Sequence, residues 1–405
     1  MSHPKIPKNT QQLVSEGSRK QLTLSPAERV LAAFEKRKID RIAIYHGGFS
    51  SRVASVLIGH EAYVGGGINQ WREATALWDG PDTHAEFVCR TRDDSRALAK
   101  AVQADMVRIG YWRMNTKPTR KIDQYTFLFG DPAGDYQIYQ LDPETELYQV
   151  IAARNSNPPP TIDDLEREVI ASEKSLESFH PTAAESLREE IDALGYFGTT
   201  YAIPCSGYAL GISREPIWLE ATLLRPDLVE RLLDCQCERG CRLFEAQKDS
   251  PFRYYLGGGD FCGNAGPIYS PRIFHEMMLP RLQRMSATAH KHGKFTAFAS
   301  DGNLWPVAND LFGASGTDAY YEIDRDAGMD LRKLRTQYPH LTCFGNISSV
   351  TLHRGTRDQV IAETRDNAEA ALELGGILCG VSNQVLSMSP IENVMAMLKT
   401  LDEYH

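Results

Sequence analysis

The sequence lacks any long hydrophobic run. No apolar stretch in its 405 residues approaches the roughly 18 residues that a membrane-spanning helix needs. Residues 1–24 are polar and contain no apolar centre of the kind found in signal peptides. We therefore expect a cytoplasmic protein that does not act at a membrane.

An excess of positive charge is also missing. The chain carries 44 Lys and Arg against 53 Asp and Glu, and its net charge of -9 is spread with mixed signs. This balance argues against a broad nucleic-acid-binding surface and favours small molecules or proteins as partners. The 8 cysteines in a chain of this length do not indicate a disulfide framework.

What the sequence does contain is a repeated alternation of short apolar strands and helices. The strand-like segments are RIAIY (41–45), ADMVRI (104–109), GTTYAIP (198–204), RYYLGGG (253–259), KFTAFAS (294–300), DAYYEI (318–323), LTCFG (341–345) and GILCGV (376–381). Eight strands, each followed by a helix, predict an α/β fold of the (β/α)8 TIM-like barrel type. A doubly wound sheet is disfavoured, together with a dinucleotide cofactor, because the loop HGGFSS (46–51) does not fit G-x-G-x-x-G.

The domain organisation follows from this pattern. We expect a polar lead-in over residues 1–24 and a barrel over residues 25–405. Residues 115–194 interrupt the rhythm and predict an insertion between strands 2 and 3, which fits either a lid or a dimerisation arm of a homodimer. Two capping boxes, at Ser25 to Glu28 and at Ser389 to Glu392, predict helix starts.

The candidate catalytic residues are carboxylates at strand ends. Asp260, Asp301 and Glu322 each follow a predicted strand, and parallel α/β folds place their chemistry at that end of the sheet. Carboxylates held close together raise one another's pKa, which supplies a proton donor near neutral pH, or they bind a hard metal ion. The alternative interpretation is that each carboxylate is separately solvated or caps a turn.

Further polar and aromatic residues near the strand ends are candidates for binding a substrate. Arg108 could hold an anionic group or lie along the barrel rim, and His46 could carry a proton or be structural. The candidate substrate-binding residues are His46, Arg108, Tyr111, Asn303, Tyr321, Asn346 and Asn383. We expect Asp260, Asp301, Glu322, Asn346 and Asn383 to converge on one barrel mouth.

Several segments, taken in order, resemble the uroporphyrinogen decarboxylase superfamily. They are ERVLAAFEKRKIDRI (28–42), GGGDFCGNAGPIYSPRIFHEMMLP (257–280), HKHGKFTAFASDGNLWPV (290–307), CFGNIS (343–348) and SPIENVMAML (389–398). The resemblance covers the chain from about residue 25 and implies a TIM-like barrel. It also implies one of two activities, because the superfamily contains true decarboxylases and methyltransferases that work with corrinoid proteins and thiols.

The sequence departs from both branches of the superfamily. The decarboxylases that it resembles carry an arginine-rich segment after the first strand, whereas residues 47–52 contain a single arginine, Arg52. The thiol-activating methyltransferases carry a zinc site, and the matching positions here are Ala299, Asp301 and the neighbourhood of Asn383. A thiolate zinc site is therefore not expected, and whether another metal ion binds is left open.

These observations together predict a transferase. We expect a methyltransferase that moves a methyl group from a small methoxylated or methylated compound to a corrinoid-binding partner protein, in a demethylation step of one-carbon metabolism. The alternatives are a decarboxylase, hence a lyase, that acts on a smaller acid, and a non-catalytic ligand-binding relative.

Overall fold

The computed structural model describes residues 22–108, 113–156 and 158–404. Tyr111, one of the candidate substrate-binding residues, lies outside the described residues, as does most of the predicted lead-in. Within the described ranges, no helix has the length and apolar character needed to cross a membrane.

Helices and short strands alternate through most of the chain. The α-helices are α1 (Pro26–Phe34), α2 (Ser51–Ile58), α3 (Gly67–Asp79), α4 (Pro81–Ala101), α5 (Ile162–Glu177), α6 (Ala183–Ser186), α7 (Arg188–Phe197), α8 (Pro216–Leu224), α9 (Pro226–Ala246), α10 (Pro271–Ile273), α11 (Leu279–Lys291), α12 (Leu331–Gln337), α13 (Ser349–Arg354), α14 (Arg357–Leu374) and α15 (Ile391–Asp402). The strands are β1 (Ala43–Ile44), β2 (Gly48–Phe49), β3 (Arg120–Lys121), β4 (Thr126–Gly130), β5 (Tyr136–Leu141), β6 (Tyr148–Arg154), β7 (Pro204–Ser206), β8 (Tyr254–Gly258), β9 (Cys262–Gly263), β10 (Gly266–Pro267), β11 (Phe295–Ala299), β12 (Ala319–Tyr321), β13 (Thr342–Phe344), β14 (Ile377–Cys379) and β15 (Gln384–Val385).

Seven of these strands form one curled parallel sheet. Their spatial order is β1-β14-β13-β12-β11-β8-β7, and every neighbouring pair is parallel. The predicted α/β fold with a TIM-like barrel is confirmed by this arrangement. Because the strands run in the same direction, the loops that follow them gather at one end of the barrel, which we call the barrel mouth.

The second predicted strand closes the gap between β1 and β7. In this segment the N–H of Asp105 donates to the carbonyl of Ile44 (2.8 Å), and the N–H of Val107 donates to the carbonyl of Ala202 (2.9 Å). Met106 and Ala202 form a parallel bridge. The segment is too short to be a regular strand, and the third strand begins its pairing at Ala202 rather than at residue 198.

The barrel interior is filled by side chains rather than open. Alternate residues of the strands point inward, and helix α1 covers the end opposite the mouth. The inward-facing cluster consists of Val30, Ala33, Phe34, Ala43, Tyr45, Met106, Ala202, Tyr254, Leu256, Ala297, Ala299, Ala319, Tyr321, Phe344 and Leu378. Phe34 of α1 packs against Tyr254 and Phe295, at the beginnings of β8 and β11, with ring centroids 4.8 and 5.0 Å apart. These aromatic rings fill the end of the barrel opposite the mouth.

The interruption after the second strand folds into a small antiparallel sheet of its own. Its strand order is β3-β4-β5-β6, and its apolar side packs on α3 through Phe127, Leu141 and Tyr148 around Ala74. Helices α5, α6 and α7 follow before the chain re-enters the barrel. The carboxylate of Glu146 accepts from the backbone N–H groups of Ser51 and Arg52, each at 2.7 Å. This contact joins the inserted sheet to the start of α2, beside the barrel mouth.

Candidate active site at the barrel mouth

Three carboxylates lie at the ends of adjacent strands. Asp260 follows β8, Asp301 follows β11 and Glu322 follows β12, and these strands are neighbours in the sheet. The backbone N–H of Asp301 donates to Oδ1 of Asp260 at 3.1 Å. Neighbouring parallel strands end at the same edge of the sheet, so residues that follow these strands lie close together even though they are far apart in the sequence.

The Asp301 side chain is held in place by its neighbours. The Nδ2 group of Asn383 donates to its carboxylate, with distances of 3.5 Å to Oδ1 and 3.4 Å to Oδ2. Gly302 has a φ of 89°, and a Cβ atom there would lie 2.7 Å from the carbonyl oxygen of Cys262, so the turn after Asp301 requires glycine. Burial raises the pKa of Asp301, and the charges of Asp260 and Asp324 raise it further.

Glu322 has a strongly perturbed pKa. Burial, and then the negative charges of Asp301 and Asp260, raise its pKa to about 7, while Arg108 opposes the change. Its backbone φ is 65°, a left-handed conformation that non-glycine residues seldom adopt. A carboxyl group with a pKa near neutrality holds a proton that it can give up under cellular conditions.

The mouth cavity is the small space in front of Glu322. It is lined by Tyr45, Arg108, Tyr321, Glu322, Asn383 and Gln384. The Tyr321 hydroxyl donates to the carbonyl of Gly257 at 3.1 Å, which fixes its ring against the barrel wall. The volume of about 10 Å³ corresponds to roughly one water molecule, so a substrate must extend beyond it.

Gly47 brings the loop after β1 against the loop after β14. A Cβ atom at Gly47 would lie 2.0 Å from the carbonyl oxygen of Asn383. Only glycine permits that approach. The contact places Asn383 and Gln384 beside Tyr45 at the rim of the mouth cavity.

Three described candidate substrate-binding residues do not line the mouth cavity, and neither do the carboxylates Asp260 and Asp301. The carboxamide of Asn346 is buried, because its Nδ2 donates to the carbonyl of Met329 and its Oδ1 accepts from Asn367. The side chain of Asn303 accepts from the N–H of Trp305 and so caps the following turn. His46 lies in a second cavity next to the mouth cavity, which we call the side cavity.

Two residues of the site are not among the sequence candidates. Asp324 accepts from the backbone N–H of Gly302 at 3.1 Å and raises the pKa of Asp301 by its charge. Gln384 lines both cavities. Asp324 could have been found from its position two residues after Glu322, at the end of the same predicted strand, whereas nothing in the local sequence distinguishes Gln384.

The donor atoms near Asp301 do not match a thiolate zinc site. Ala299 ends β11, Asp301 lies two residues later, and Asn383 faces Asp301, so these positions supply one carboxylate and one amide. Across the described parts of the chain, no group of three or more His, Cys, Asp and Glu side chains is arranged to hold a metal ion.

The chain belongs to the uroporphyrinogen decarboxylase (URO-D) family, whose model matches residues 159–404. Two curated relatives are methylcobamide:CoM methyltransferases MtaA of Methanosarcina barkeri. One is 27% identical over 197 residues, which is 46% of this chain and 52% of the relative. The other, from strain Fusaro, is 28% identical over 194 residues, with the same coverage. The chain thus matches about half the length of these relatives.

A solved structure shares the fold. A methyltransferase from Methanosarcina mazei superposes with a TM-score of 0.58 at 17% sequence identity, covering 94% of this chain and 99% of that one. At this level of identity the similarity establishes the barrel fold alone.

Proposed function

We propose that this protein is a methyltransferase that moves a methyl group from a small methylated compound to a corrinoid carried by a partner protein. The observation that carries the proposal is the carboxyl group of Glu322, whose pKa is raised to about 7 at the barrel mouth. When a methyl group is removed from an ether or a methylamine, the oxygen or nitrogen fragment that departs is a poor leaving group unless that oxygen or nitrogen is protonated. In this proposal Glu322 provides that proton.

The chemistry of the step can be written with a methyl ether as the donor. The bond between the methyl carbon and oxygen breaks, and its electron pair stays on the oxygen. Glu322 gives its proton to that oxygen, so an alcohol or phenol leaves rather than its anion. The methyl group passes to the reduced corrinoid, and the Glu322 carboxylate then regains a proton from water.

Asp301 and Asp260 support this role through their charge. Both raise the pKa of Glu322, because a third negative charge beside them is unfavourable in a poorly solvated site. Asn383 holds the Asp301 carboxylate in position. The proton of Glu322 is therefore retained at a pH where an ordinary glutamate would already have lost it.

The relatives support a corrinoid as the reaction partner. Both curated relatives are named for methyl transfer between methylcobamide and CoM. The residues near Asp301 offer a carboxylate and an amide rather than thiolate ligands, which suits protonation of a leaving group better than activation of a thiol. We therefore favour a small methylated compound as the donor and the corrinoid as the acceptor.

A decarboxylase that acts on a small acid is the second candidate. Arg108 lines the same cavity as Glu322, and a guanidinium group can hold a substrate carboxylate. Glu322 would then protonate the carbon atom that loses carbon dioxide.

Incubation of the purified protein with cob(I)alamin and a panel of methyl ethers and methylamines tests the proposal. We expect methylcobalamin to form with at least one donor, and Glu322→Gln to slow that reaction by about a hundredfold or more. Release of carbon dioxide from small acids, without any methyl transfer, would instead establish the decarboxylase. Full activity of Glu322→Gln would remove the proton-donor role.

A further inference from the structure

The side cavity lies between the loop after β1 and helices α3 and α4. Its walls are mainly apolar and include Phe49, Val64, Leu98, Met106 and Val107. Its volume is about 110 Å³, somewhat smaller than the engineered cavity of roughly 150 Å³ that accepts a benzene molecule. Tyr45, Gly47, Arg108 and Gln384 border both this cavity and the mouth cavity, but Asp260, Asp301 and Glu322 do not line it.

Three buried polar atoms in its wall have no hydrogen-bond partner among the described residues. They are Nε2 of His46, Oδ1 of Asn69 and Oγ1 of Thr91, on side chains that are 9%, 6% and 4% exposed. Burial of an unpaired polar atom is costly, and proteins normally avoid it. The three residues line the side cavity, but these atoms are almost fully covered, so a ligand reaches them only when the side chains turn toward it. A ligand with matching polar groups would then complete their hydrogen bonds.

The protonation of His46 decides which group it needs. The backbone N–H of Val381 donates to its Nδ1 at 3.2 Å, so Nδ1 carries a lone pair and the proton of the neutral ring is on Nε2. Burial lowers the pKa of His46 to about 4, which keeps the ring neutral at physiological pH. The unpaired Nε2–H group is therefore a donor that requires an acceptor.

The charge around the cavity limits the ligand further. None of the described residues that line it is an aspartate or glutamate, and Arg108 stands at the rim shared with the mouth cavity. A cation would have no counter-charge there, and an anion deep in the cavity would have to be desolvated beside Phe49 and Leu98. An uncharged ligand meets neither cost.

We propose that the side cavity binds a small uncharged compound about one ring in size that carries a hydroxyl group. Its oxygen accepts from the Nε2–H of His46, its hydroxyl hydrogen is donated to Oδ1 of Asn69, and the Thr91 hydroxyl makes a third hydrogen bond. The apolar wall surrounds the ring. This site goes beyond the methyl transfer proposed above and does not depend on it, because binding can be measured without turnover.

Two probes of nearly equal size and shape test the proposal. The affinities of 4-fluorophenol and 4-fluorotoluene for the purified full-length protein can be measured by fluorine NMR. We expect the phenol to bind about tenfold or more tightly than the toluene, because only the phenol satisfies the buried polar atoms. This comparison uses the unaltered protein and so does not rely on any variant folding correctly.

Variants then locate the site. His46→Phe keeps a ring but removes the donor, and Thr91→Val keeps the shape but removes the hydroxyl. His46→Phe should abolish the preference for the phenol, and Thr91→Val should reduce it several-fold. Thr364→Val is the matched control, because Oγ1 of Thr364 is also buried without a partner among the described residues but lies outside the cavity. It should leave both affinities unchanged.

Three results would overturn the proposal. They are equal affinities for the two probes, no binding of either probe because the cavity holds water only, and a phenol preference that persists in folded His46→Phe. A failure of methyl transfer with cob(I)alamin would leave all of these measurements unaffected.

Discussion

Glu322 combines a left-handed backbone conformation, with a φ of 65°, and a pKa raised to about 7. Each property costs free energy in the folded state, of the order of 1–3 kcal/mol for such a backbone conformation. A glycine at this position would remove the cost of the left-handed backbone conformation. A glutamine would remove the cost of an ionisable side chain beside other carboxylates. Their coincidence at the end of β12, beside Asp301, is the reason that we assign the proton to this residue.

The stability of the protein should reveal this pKa directly. In the unfolded chain Glu322 loses its proton near the ordinary value of 4.5, but in the folded state it does so only near 7. The folded state binds the proton more tightly, so Glu322 lowers the free energy of unfolding progressively as pH rises from about 4.5 to about 7. Asp301, with its raised pKa, acts in the same direction.

We therefore expect Glu322→Gln to become more stable relative to wild type as pH rises through this window. Asp301 is present in both proteins, so its own contribution to the pH dependence of the free energy of unfolding largely cancels in the comparison. The part that does not cancel arises because Asp301 has no charged Glu322 beside it in the variant. Urea unfolding at several pH values between 5 and 8 measures the difference. A difference that does not change with pH would show that the pKa of Glu322 is not raised.

Asp301 should also be sensitive to a change that preserves its shape. Asp301→Asn should lower turnover at neutral pH, because loss of the Asp301 charge lowers the pKa of Glu322 and leaves less of it protonated. A loss of about a hundredfold or more at every pH, the scale typical of losing a general acid or base, would instead make Asp301 itself the proton donor. Little stability should be lost, because an amide can still contact Asn383. Steady-state kinetics and thermal unfolding of the variant provide the two measurements.

The pH dependence of that variant separates two roles of Asp301. If it acts only through Glu322, the variant should keep its maximal rate, and the fall in rate at high pH should move to lower pH. Activity within a few-fold of wild type at every pH would assign Asp301 to the turn before Gly302.

At the scale of secondary-structure elements, one buried carboxylate fastens the second strand to its neighbours. Asp105 is fully buried and accepts from Nη1 of Arg29 (2.5 Å), from Nη2 of Arg41 (2.8 Å) and from the N–H of Ile44 (2.7 Å). Asp40 pairs with the other side of the Arg29 guanidinium at 2.8 Å. Two arginines and two aspartates thus balance in charge where the barrel closes.

Asp105→Asn should lower the free energy of unfolding by about 3–5 kcal/mol, because it leaves a buried arginine without its counter-charge. Asp234→Asn is the control, since Asp234 pairs with Arg281 at 2.8 Å but is 64% exposed. Its loss should cost less than about 1 kcal/mol. Equal effects of the two substitutions in urea unfolding would contradict the assigned role of Asp105.

At the scale of the whole molecule, the balance of charge at the mouth determines which substrates can enter. Asp260 and Asp301 raise the pKa of Glu322 by their charges, and Arg108 lines the same cavity as Glu322. Arg52, the single arginine among residues 47–52 and the second residue of α2, reaches toward the carbonyl of Pro143 next to the inserted sheet. A substrate with many carboxylates would therefore meet more negative than positive charge.

We accordingly expect no appreciable decarboxylation of uroporphyrinogen. The measurement is an anaerobic assay for coproporphyrinogen with the purified protein, and a true uroporphyrinogen decarboxylase in parallel confirms that the substrate is competent. Formation of coproporphyrinogen by this protein would overturn the expectation.

Some features of the fold follow from neighbours in the sequence. The alternation of apolar strands with helices predicts the barrel because side-chain periodicity is a local property. The capping box at Ser25 forms as predicted, since its partner Glu28 lies three residues away. Asp260, Asp301 and Glu322 stand at strand ends for the same reason. The position of a residue along a strand decides at which end of a parallel barrel it lies.

Other features depend on contacts between distant residues. The predicted capping box at Ser389 does not form, although Glu392 stands at the same spacing as in the first box: α15 has Pro390 as its N-cap and no side-chain cap. The same local pattern thus leads to different structures in different surroundings. Asn346 turns into the protein because Met329 and Asn367 satisfy its amide. The side cavity exists because the loop after β1, α3 and α4 meet around His46, Asn69 and Thr91. Local spacing determines where a side chain leaves the backbone, but which partner it finds is decided only when distant segments pack together.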